Sequence, residues 1–454
     1  MRLLSFNAKK VHDYMDFDID FNKDVNFLIG SNGSGKTTAI KLIKALLSPS
    51  LIDLISISFE SCKLTIERHG RSKSIEIVRT SKKANEFTAS YDGEQHSFIL
   101  PEHLQRDVVE YNIERNENLS TELDALSDNP VFNKIRKLPT PIFLGVDRKN
   151  GNGSIFPPRI YREAFVSPNH HRNIVRGLLG NALIETQFMI QDSYKGIRNL
   201  EEKQGGVLRD SILRSSFKFS SFNPDDLTAQ DKKWMQANQL INKKAEINRA
   251  LRKITNVDDS LSNELDLFFD SLEKLLYELK TSGDDAGFSL NWLMNQAQIK
   301  RISELVDVID SYDKKIQDIY KPVNEFASTI NKFFIDSDKK ISIDPVGRIL
   351  VHINSRKQVY NVDCLSSGER QLLIIIANVL FNKYRNYLSP KTSIIIIDEP
   401  ELSLHMRWQE MFSEIVLETS PETQFILATH SPDIVGDLTN KCKKVRKVAK
   451  SNVD

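Results

Sequence analysis

A nine-residue stretch from Gly30 to Thr38, with the sequence GSNGSGKTT, constrains this chain more than any other feature. It follows a strand-like apolar run at residues 25–29 and precedes residues 39–47, which have the pattern of a helix. Strand, glycine-rich turn and helix form the context in which the pattern GxxxxGK followed by Ser or Thr builds a phosphate-binding loop. The glycines allow backbone N–H groups to surround a phosphate, and the helix N-terminus adds the positive end of its dipole. The stretch therefore predicts a nucleotide-binding protein.

The side chains of this stretch predict a division of tasks. Lys36 would reach the β- and γ-phosphates of ATP, and the hydroxyl of Thr37 would bind Mg²⁺. We expect the whole stretch to contact the nucleotide, namely Gly30, Ser31, Asn32, Gly33, Ser34, Gly35, Lys36, Thr37 and Thr38.

A run of four isoleucines, residues 394–397, leads into two carboxylates, Asp398 and Glu399. Such a run is typical of a strand that is buried on both faces of a parallel sheet. Sheets of α/β proteins bind ligands at the carboxyl ends of their strands. We therefore expect Asp398 to hold the Mg²⁺ shell, usually through water, and Glu399 to polarise the attacking water.

Two further stretches become informative because they accompany the phosphate-binding loop and the acidic strand. Residues 363–371 (DCLSSGERQ) precede an apolar helix, and Ser366 and Ser367 occupy positions where helix-capping residues belong. Residues 425–432 (FILATHSP) form another buried strand, which ends near His430. A histidine at a strand end is more often structural than catalytic. Because this strand should lie beside the acidic one, we nevertheless expect His430 near the γ-phosphate.

The remaining pattern predicts two kinds of structure. Residues 1–21 and 55–100 alternate apolar and polar side chains, which predicts strands and an antiparallel β-meander. From about residue 173 to about residue 334, apolar residues recur at helical spacing, with breaks expected at Gly205–Gly206, at residues 220–226 and at residues 282–287. The heptads are neither long nor regular enough for a rod-like coiled coil. We therefore expect a folded helical insertion.

The stretches LSSGERQ, IIIIDEPELSLH and ATHSP, together with the phosphate-binding loop, resemble ABC-type, AAA-family soluble ATPases. The resemblance is strongest to the overcoming-lysogenization-defect (OLD) type and to the stand-alone ATPase subunits of two-gene phage-defence systems such as Septu and PARIS. It implies an α/β fold: an ABC-type P-loop ATPase head with a mixed or parallel sheet, helices, an antiparallel β-subdomain and a large helical insertion. The implied domains are residues 1–150 and 336–454, which form the head, and residues 151–335, which form an insertion for oligomerisation or partner binding.

The resemblance also implies a mechanism. Two heads pack head to tail in a homo-oligomer, and ATP on one head is closed over by the signature segment of the other, Ser366, Ser367, Gly368 and Glu369. Glu399 is then the general base, His430 senses the γ-phosphate, and Lys36 completes the catalytic set. The loop at 147–148 would take the place of the family's glutamine loop, although no glutamine stands there. Met406 replaces the proline that often follows the SLH loop.

Composition limits the partners. The formal net charge of +1 creates no overall attraction to nucleic acid or to a membrane, so such binding would need a local patch such as the basic residues 441–450. The three cysteines show no metal-ligand spacing, which fits a reducing compartment. No apolar run approaches membrane-spanning length. We expect a cytoplasmic protein with no membrane partner.

The resemblance also bears on nuclease chemistry. OLD nucleases carry a Toprim nuclease domain after the ATPase, whereas about two dozen residues follow His430 here. We interpret the histidine cluster at 169–172 (NHHR) as a solvated loop. We therefore expect no nuclease site in this chain and a separately encoded nuclease effector of the Toprim or HNH type.

Two functions remain in view. The first is a Mg-dependent ATPase subunit of a bacterial antiviral defence complex, which senses infection through a phage protein or DNA and controls the effector. The alternative is a RecF- or SMC-like DNA-repair ATPase that acts on DNA. The lack of long heptad arms and of a CxxC zinc hook counts against an SMC rod, but a RecF-like protein stays open. The large insertion counts against a transporter subunit.

Overall fold

The computed structural model describes residues 1–49, 54, 56–81, 86–99, 129–145, 178–216, 241, 244, 263, 266–274, 277, 290–384 and 394–445. These residues divide into two compact units, one made of Met1–Asp192 with Glu325–Asp454 and the other of Ser193–Asn324. The domain boundaries expected at residues 150 and 335 stay predictions.

The described strands are β1 (Arg2–Val11), β2 (Met15–Asp20), β3 (Val25–Ile29), β4 (Ser61–Arg68), β5 (Arg71–Ser81), β6 (Glu86–Tyr91), β7 (Glu94–Ile99), β8 (Ile142–Leu144), β9 (Lys339–Ile343), β10 (Ile349–Ile353), β11 (Val359–Tyr360), β12 (Ile394–Asp398), β13 (Gln424–Ala428) and β14 (Cys442–Lys444). The described α-helices are α1 (Lys36–Leu47), α2 (Pro130–Ile135), α3 (Leu178–Ser216), α4 (Leu290–Phe333), α5 (Ser367–Lys383), α6 (Met406–Thr419) and α7 (Pro432–Val435).

A five-stranded parallel sheet in the order β14-β3-β13-β12-β8 lies at the centre of the first unit. Asp398 at the end of β12 pairs with Ala428 of β13, and Ala428 pairs with Leu28 of β3. The carboxyl ends of these three strands therefore share one edge of the sheet. This register brings the phosphate-binding loop, the acidic pair and His430 to the same side of the molecule.

Helices cover both faces of this sheet, which explains the run of isoleucines in β12. Ile394 and Ile396 belong to the core cluster that also contains the apolar residues of α1. Ile395 and Ile397 belong to a second cluster with α5. All five residues of β12 are buried, as expected for a parallel strand that is covered on both faces.

A six-stranded antiparallel sheet in the order β2-β1-β4-β5-β6-β7 packs into the same core cluster as α1. Its strands show one buried and one exposed face; in β2, for example, burial alternates from residue to residue. A smaller antiparallel sheet, β11-β10-β9, follows α4 and leads to α5. The predicted fold class, α/β with a parallel sheet, helices and an antiparallel β-subdomain, is confirmed.

The second unit contains parts of two long helices, α3 and α4. Within it, Leu208 of α3 and Ile309 of α4 form a small buried cluster, and the Tyr320 hydroxyl donates a hydrogen bond to Glu201 Oε2 at 2.7 Å. The prediction of a helix break at Gly205–Gly206 is wrong, because α3 continues through both glycines. A glycine costs a helix only about 1 kcal/mol relative to alanine, and burial of Leu208 in the same turn favours continuation. Among the described residues, no helix combines the length and the apolarity that a membrane span requires.

Candidate nucleotide-binding site

Glycines shape the loop between β3 and α1 for two different reasons. Gly33 and Gly35 have φ values of +74° and +96°, in the left-handed region that glycine adopts without steric cost. Gly30 does not have a positive φ, but a Cβ atom there would lie 2.6 Å from Ser34 Oγ and 2.7 Å from the Val445 carbonyl oxygen. The loop therefore needs glycine at some positions for backbone geometry and at another for close packing.

Strand β2 of the antiparallel sheet packs against the end of this loop. A Cβ atom on Gly35 would lie 2.9 Å from Phe17 Cζ and 3.0 Å from Met15 Sδ, both on β2. The hairpin of β1 and β2 thus fixes the point at which the loop turns into α1.

The N-terminus of α1 has the properties of an anion-binding site. Gly35 is the N-cap, no side chain caps the helix, and the first turn carries no acidic residue. Ser31, Asn32 and Gly33 are exposed, and nothing lies within 4 Å of a Cβ built on Gly33. Within the described residues, the buried Ser34 Oγ has no hydrogen-bond partner. A helix N-terminus without a side-chain cap fits a phosphate group.

Lys36 is the charged residue of the loop and is buried, with 5% of its surface exposed. Its Nζ donates to the Gly30 carbonyl oxygen at 3.1 Å and lies 2.6 Å from His430 Nε2. Burial lowers the pKa of Lys36, while the carboxylates of Asp398, Glu399 and Glu401 act in the opposite direction. Because an ammonium group only donates, this contact pairs Lys36 with the tautomer of His430 in which Nε2 is the acceptor.

The acidic pair follows directly from the end of β12. Asp398 is buried, with 3% exposed, and Glu399 comes next with its amide N–H bonded to the Ala428 carbonyl oxygen at 2.8 Å. Glu399 has a φ of +50°, an uncommon conformation for a residue with a side chain. The left-handed residue turns the chain sharply at the edge of the sheet.

Side chains from the turn after β12 and from the loop after β13 hold His430 at this edge. The carboxylate of Glu401 accepts two hydrogen bonds, from Thr429 Oγ1 at 2.8 Å and from the His430 amide at 2.7 Å. Ser431 then caps α7 and its hydroxyl donates to Gln409 Oε1 at 2.6 Å. Sequence analysis missed Glu401, because its contact with Thr429 depends on β12 and β13 being neighbours. Its position two residues after Glu399, within the same acidic turn, was the available signal.

The signature segment begins α5 with a capping box. Ser366 Oγ accepts from the Glu369 amide at 3.3 Å, and Glu369 Oε2 accepts from the Ser366 amide at 2.7 Å. Ser366 and Ser367 are exposed, whereas Gly368 is buried. A Cβ atom on Gly368 would lie 2.3 Å from the Ser403 carbonyl oxygen, so only glycine fits there without a shift of the neighbouring loop.

The side chain of Glu369 faces into its own chain. Its Oε2 lies 2.8 Å from Lys339 Nζ, which also donates to the Cys364 carbonyl oxygen at 3.1 Å. Burial on its own would raise the pKa of Glu369, but the hydrogen bonds from Lys339 and from the Ser366 amide outweigh it and lower the pKa. The segment is thereby fixed with its two serines outward.

The structure thus brings together one group of the predicted residues. Lys36 and His430 are in contact, and Asp398 and Glu399 lie at the same edge of the sheet and act electrostatically on Lys36. The contacts described for the signature segment are instead with Lys339 and Ser403. The predictions for several other segments concern residues that the structure does not describe: the loop at 147–148, the histidine cluster at 169–172, the expected breaks at 220–226 and 282–287, and the tail residues 446–450.

The residues at this edge also suit Mg²⁺. Thr37 and Asp398 offer hydroxyl and carboxylate oxygens, the hard ligands that Mg²⁺ prefers beside phosphate oxygens. Thr37 is half-buried in the first turn of α1, and Asp398 ends the strand next but one to β3.

A parallel sheet with a glycine-rich loop and an acidic strand end defines the class of P-loop nucleotide-binding domains. Residues 25–436 match the family described as "AAA domain, putative AbiEii toxin, Type IV TA system". The match covers most of the chain, which therefore belongs to this family of AAA ATPase domains.

Two curated relatives are similar over parts of the chain. The "Retron Vc95 probable ATPase" of Vibrio cholerae serotype O1 biovar El Tor is 25% identical over 224 residues, which cover 45% of this chain and 42% of the relative. The "Retron Ec83 probable ATPase" of Escherichia coli is 38% identical over 77 residues, 15% of this chain and 14% of the relative. The matched stretches span less than half the length of these relatives.

Solved structures are similar at a more distant level. The Smc head domain with an extended coiled coil from Pyrococcus furiosus has a TM-score of 0.39 at 13% identity, covering 96% of this chain and 91% of that one. The SMC head domain from Thermotoga maritima has a TM-score of 0.36 at 12% identity, with the same coverage of 96% and 91%. Similarity at this level carries no inference about function.

Proposed function

We propose that this chain is the Mg-dependent ATPase subunit of a bacterial antiviral defence complex and that it controls a separately encoded nuclease. The observation that carries the ATPase assignment is the contact between Lys36 Nζ and His430 Nε2, 2.6 Å apart, beside the acidic end of β12. Membership of the AAA family supports the same assignment. Both curated relatives are named as probable ATPases of retrons, which supports the assignment to defence.

Each residue at the sheet edge has a task in this proposal. The loop from Gly30 to Thr38 and the ammonium group of Lys36 bind the phosphates of ATP. Thr37 and Asp398 would hold Mg²⁺, which when bound neutralises charge on the phosphate oxygens. Glu399 accepts a proton from the attacking water as the general base.

His430 exchanges partners when ATP binds. Its Nε2 accepts a hydrogen bond from Lys36 in this structure. To donate to a γ-phosphate, the same nitrogen must gain a proton or the ring must change tautomer. His430 can therefore respond to the presence of the γ-phosphate, the role that the family resemblance implies for it.

The signature segment acts on a second copy of the chain in this proposal. Ser366 and Ser367 are exposed at the N-terminus of α5, where backbone N–H groups favour an anion. Together with Gly368 and Glu369 they would close over ATP bound to the other head in a head-to-tail homo-oligomer. Glu369 contributes through the capping box that fixes the segment.

The partners follow from the same proposal. A Toprim- or HNH-type nuclease supplies the effector chemistry, and a phage protein or DNA supplies the trigger. The insertion that contains α3 and α4 is the surface that this proposal assigns to such partners. The OLD-like character of the motifs, with Septu and PARIS as the similar systems, supports this arrangement.

The test uses tagged Glu399→Gln protein, expressed with its neighbouring genes and purified in Mg-ATP. Loss of the general base should leave ATP bound and unhydrolysed, so that closed oligomers accumulate. We expect a multimer that carries a nuclease-type chain, measured by native mass spectrometry. Lys36→Ala protein, which should not bind ATP, is the matched control. A homodimer that retains only DNA would contradict the defence assignment and favour a DNA-repair ATPase.

A further inference from the structure

Glu401 joins the two loops that carry the predicted catalytic residues. It lies two residues after Glu399, in the turn that follows β12. Its Oε2 accepts a hydrogen bond from Thr429 Oγ1 at 2.8 Å, and its Oε1 accepts one from the His430 amide at 2.7 Å. Both carboxylate oxygens are therefore engaged with the loop that follows β13.

These contacts fix the backbone on both sides of the histidine. Thr429 is buried, with 1% of its surface exposed. Its hydroxyl donates to Glu401 and accepts from the Ser431 amide at 3.0 Å. One carboxylate thus orients the amide of His430 directly and that of Ser431 through a single hydroxyl.

His430 itself is an exposed residue. Its Nε2 lies 2.6 Å from Lys36 Nζ, so a small displacement of the loop would separate the ring from the phosphate-binding loop. Hydrogen bonds to a carboxylate are shorter and stronger than neutral ones. Glu401 is therefore well suited to prevent such a displacement.

We infer that Glu401 is a positioning residue, which holds His430 against the phosphate-binding loop and links it to the turn that carries Glu399. The consequence for turnover rests on the proposed ATPase function, while the hydrogen bonds of Glu401 belong to the folded chain whatever its activity. In this role Glu401 acts through the backbone that carries His430, whose amide donates a hydrogen bond to it.

The first measurement is amide hydrogen exchange on the full-length chain without added nucleotide. In Glu401→Ala, exchange at residues 429–431 should accelerate by about tenfold or more, as expected when a hydrogen bond to a charged group is lost. Glu401→Gln should give an intermediate acceleration, because its single amide oxygen can accept from the His430 amide but not also from the Thr429 hydroxyl. Glu410→Ala, at an exposed position on α6, is the control.

The second measurement is ATP turnover by the same proteins. We expect kcat to fall by about tenfold in Glu401→Ala, the scale of a lost positioning contact, and to fall by less in Glu401→Gln, which keeps one of the two acceptors. In a His430→Ala background, Glu401→Ala should add little further loss, because both changes act through the same ring. Thr429→Val, which removes one of the two hydrogen bonds, should give an intermediate loss.

The outcomes separate the two proposals. Unchanged exchange at residues 429–431 in Glu401→Ala would overturn the inference whether or not the chain hydrolyses ATP. An additive loss in the double variant would also overturn it, because Glu401 would then act independently of His430. Accelerated exchange in a chain that shows no turnover would uphold the positioning contact and contradict the proposed ATPase function.

Discussion

At the scale of single residues, the most informative contact is that between Glu369 and Lys339. The carboxylate of Glu369 is 3% exposed and is bonded to Lys339 Nζ at 2.8 Å. Because its pKa is lowered in the folded chain, the unfolded chain binds more protons as the pH falls. The stabilisation is therefore complete above the ordinary pKa of 4.5 and is lost as the pH falls through the folded pKa.

The direction of this pH dependence gives a prediction for Glu369→Gln. The substitution should lower the free energy of unfolding at pH 7 by about 2 kcal/mol, since it removes hydrogen bonds to a charged group. The difference from wild type should shrink below pH 4.5, where the wild-type carboxylate also becomes protonated. Urea unfolding at a series of pH values measures both quantities.

Glu414→Gln, at an exposed position on α6, is the matched control and should unfold like wild type. A difference between Glu369→Gln and wild type that stayed constant down to about pH 3 would show that the charge of Glu369 does not contribute.

At the scale of elements, we predict that replacing two helical glycines with alanine changes the stability of the chain in opposite directions. Gly206 lies within α3 with nothing near a Cβ atom, whereas a Cβ atom on Gly368 would lie 2.3 Å from the Ser403 carbonyl oxygen. Gly206→Ala should stabilise the chain by up to about 1 kcal/mol, because alanine favours a helix. Gly368→Ala should destabilise it by about 1–3 kcal/mol, because α5 or the loop before α6 must shift.

The measurement is thermal unfolding: the midpoint temperature should rise in Gly206→Ala and fall in Gly368→Ala relative to wild type. Equal effects of the two substitutions would contradict the close packing of α5 against Ser403. Gly206 is also a position where the sequence pattern misleads, since a pair of glycines normally indicates a break.

The sequence predicted those parts of the site that local chemistry determines. The loop from Gly30 to Thr38 needs its glycines for φ values and close approach, and Ser366 caps a helix within four residues. Contacts between separate elements could not be predicted in the same way. Glu401 meets Thr429, and Lys339 meets Glu369, only because of strand order and packing.

At the scale of the whole molecule, the parallel sheet connects distant parts of the sequence. The register of β3, β13 and β12 brings the loop at residue 30, His430 and Asp398 to one edge. About 360 residues separate the loop from Asp398 along the chain. The site is therefore assembled from both ends of the sequence, which agrees with a family match that extends over residues 25–436.

The most direct test of the central claim is phosphate release from Mg-ATP by the purified full-length chain, measured beside ATP binding in three proteins. Wild type should bind and hydrolyse ATP. Lys36→Ala should lose binding, because the buried ammonium group is gone, and Glu399→Gln should bind ATP but hydrolyse it slowly. Turnover by Glu399→Gln at the wild-type rate, or binding by Lys36→Ala at wild-type affinity, would contradict the assignment of this site.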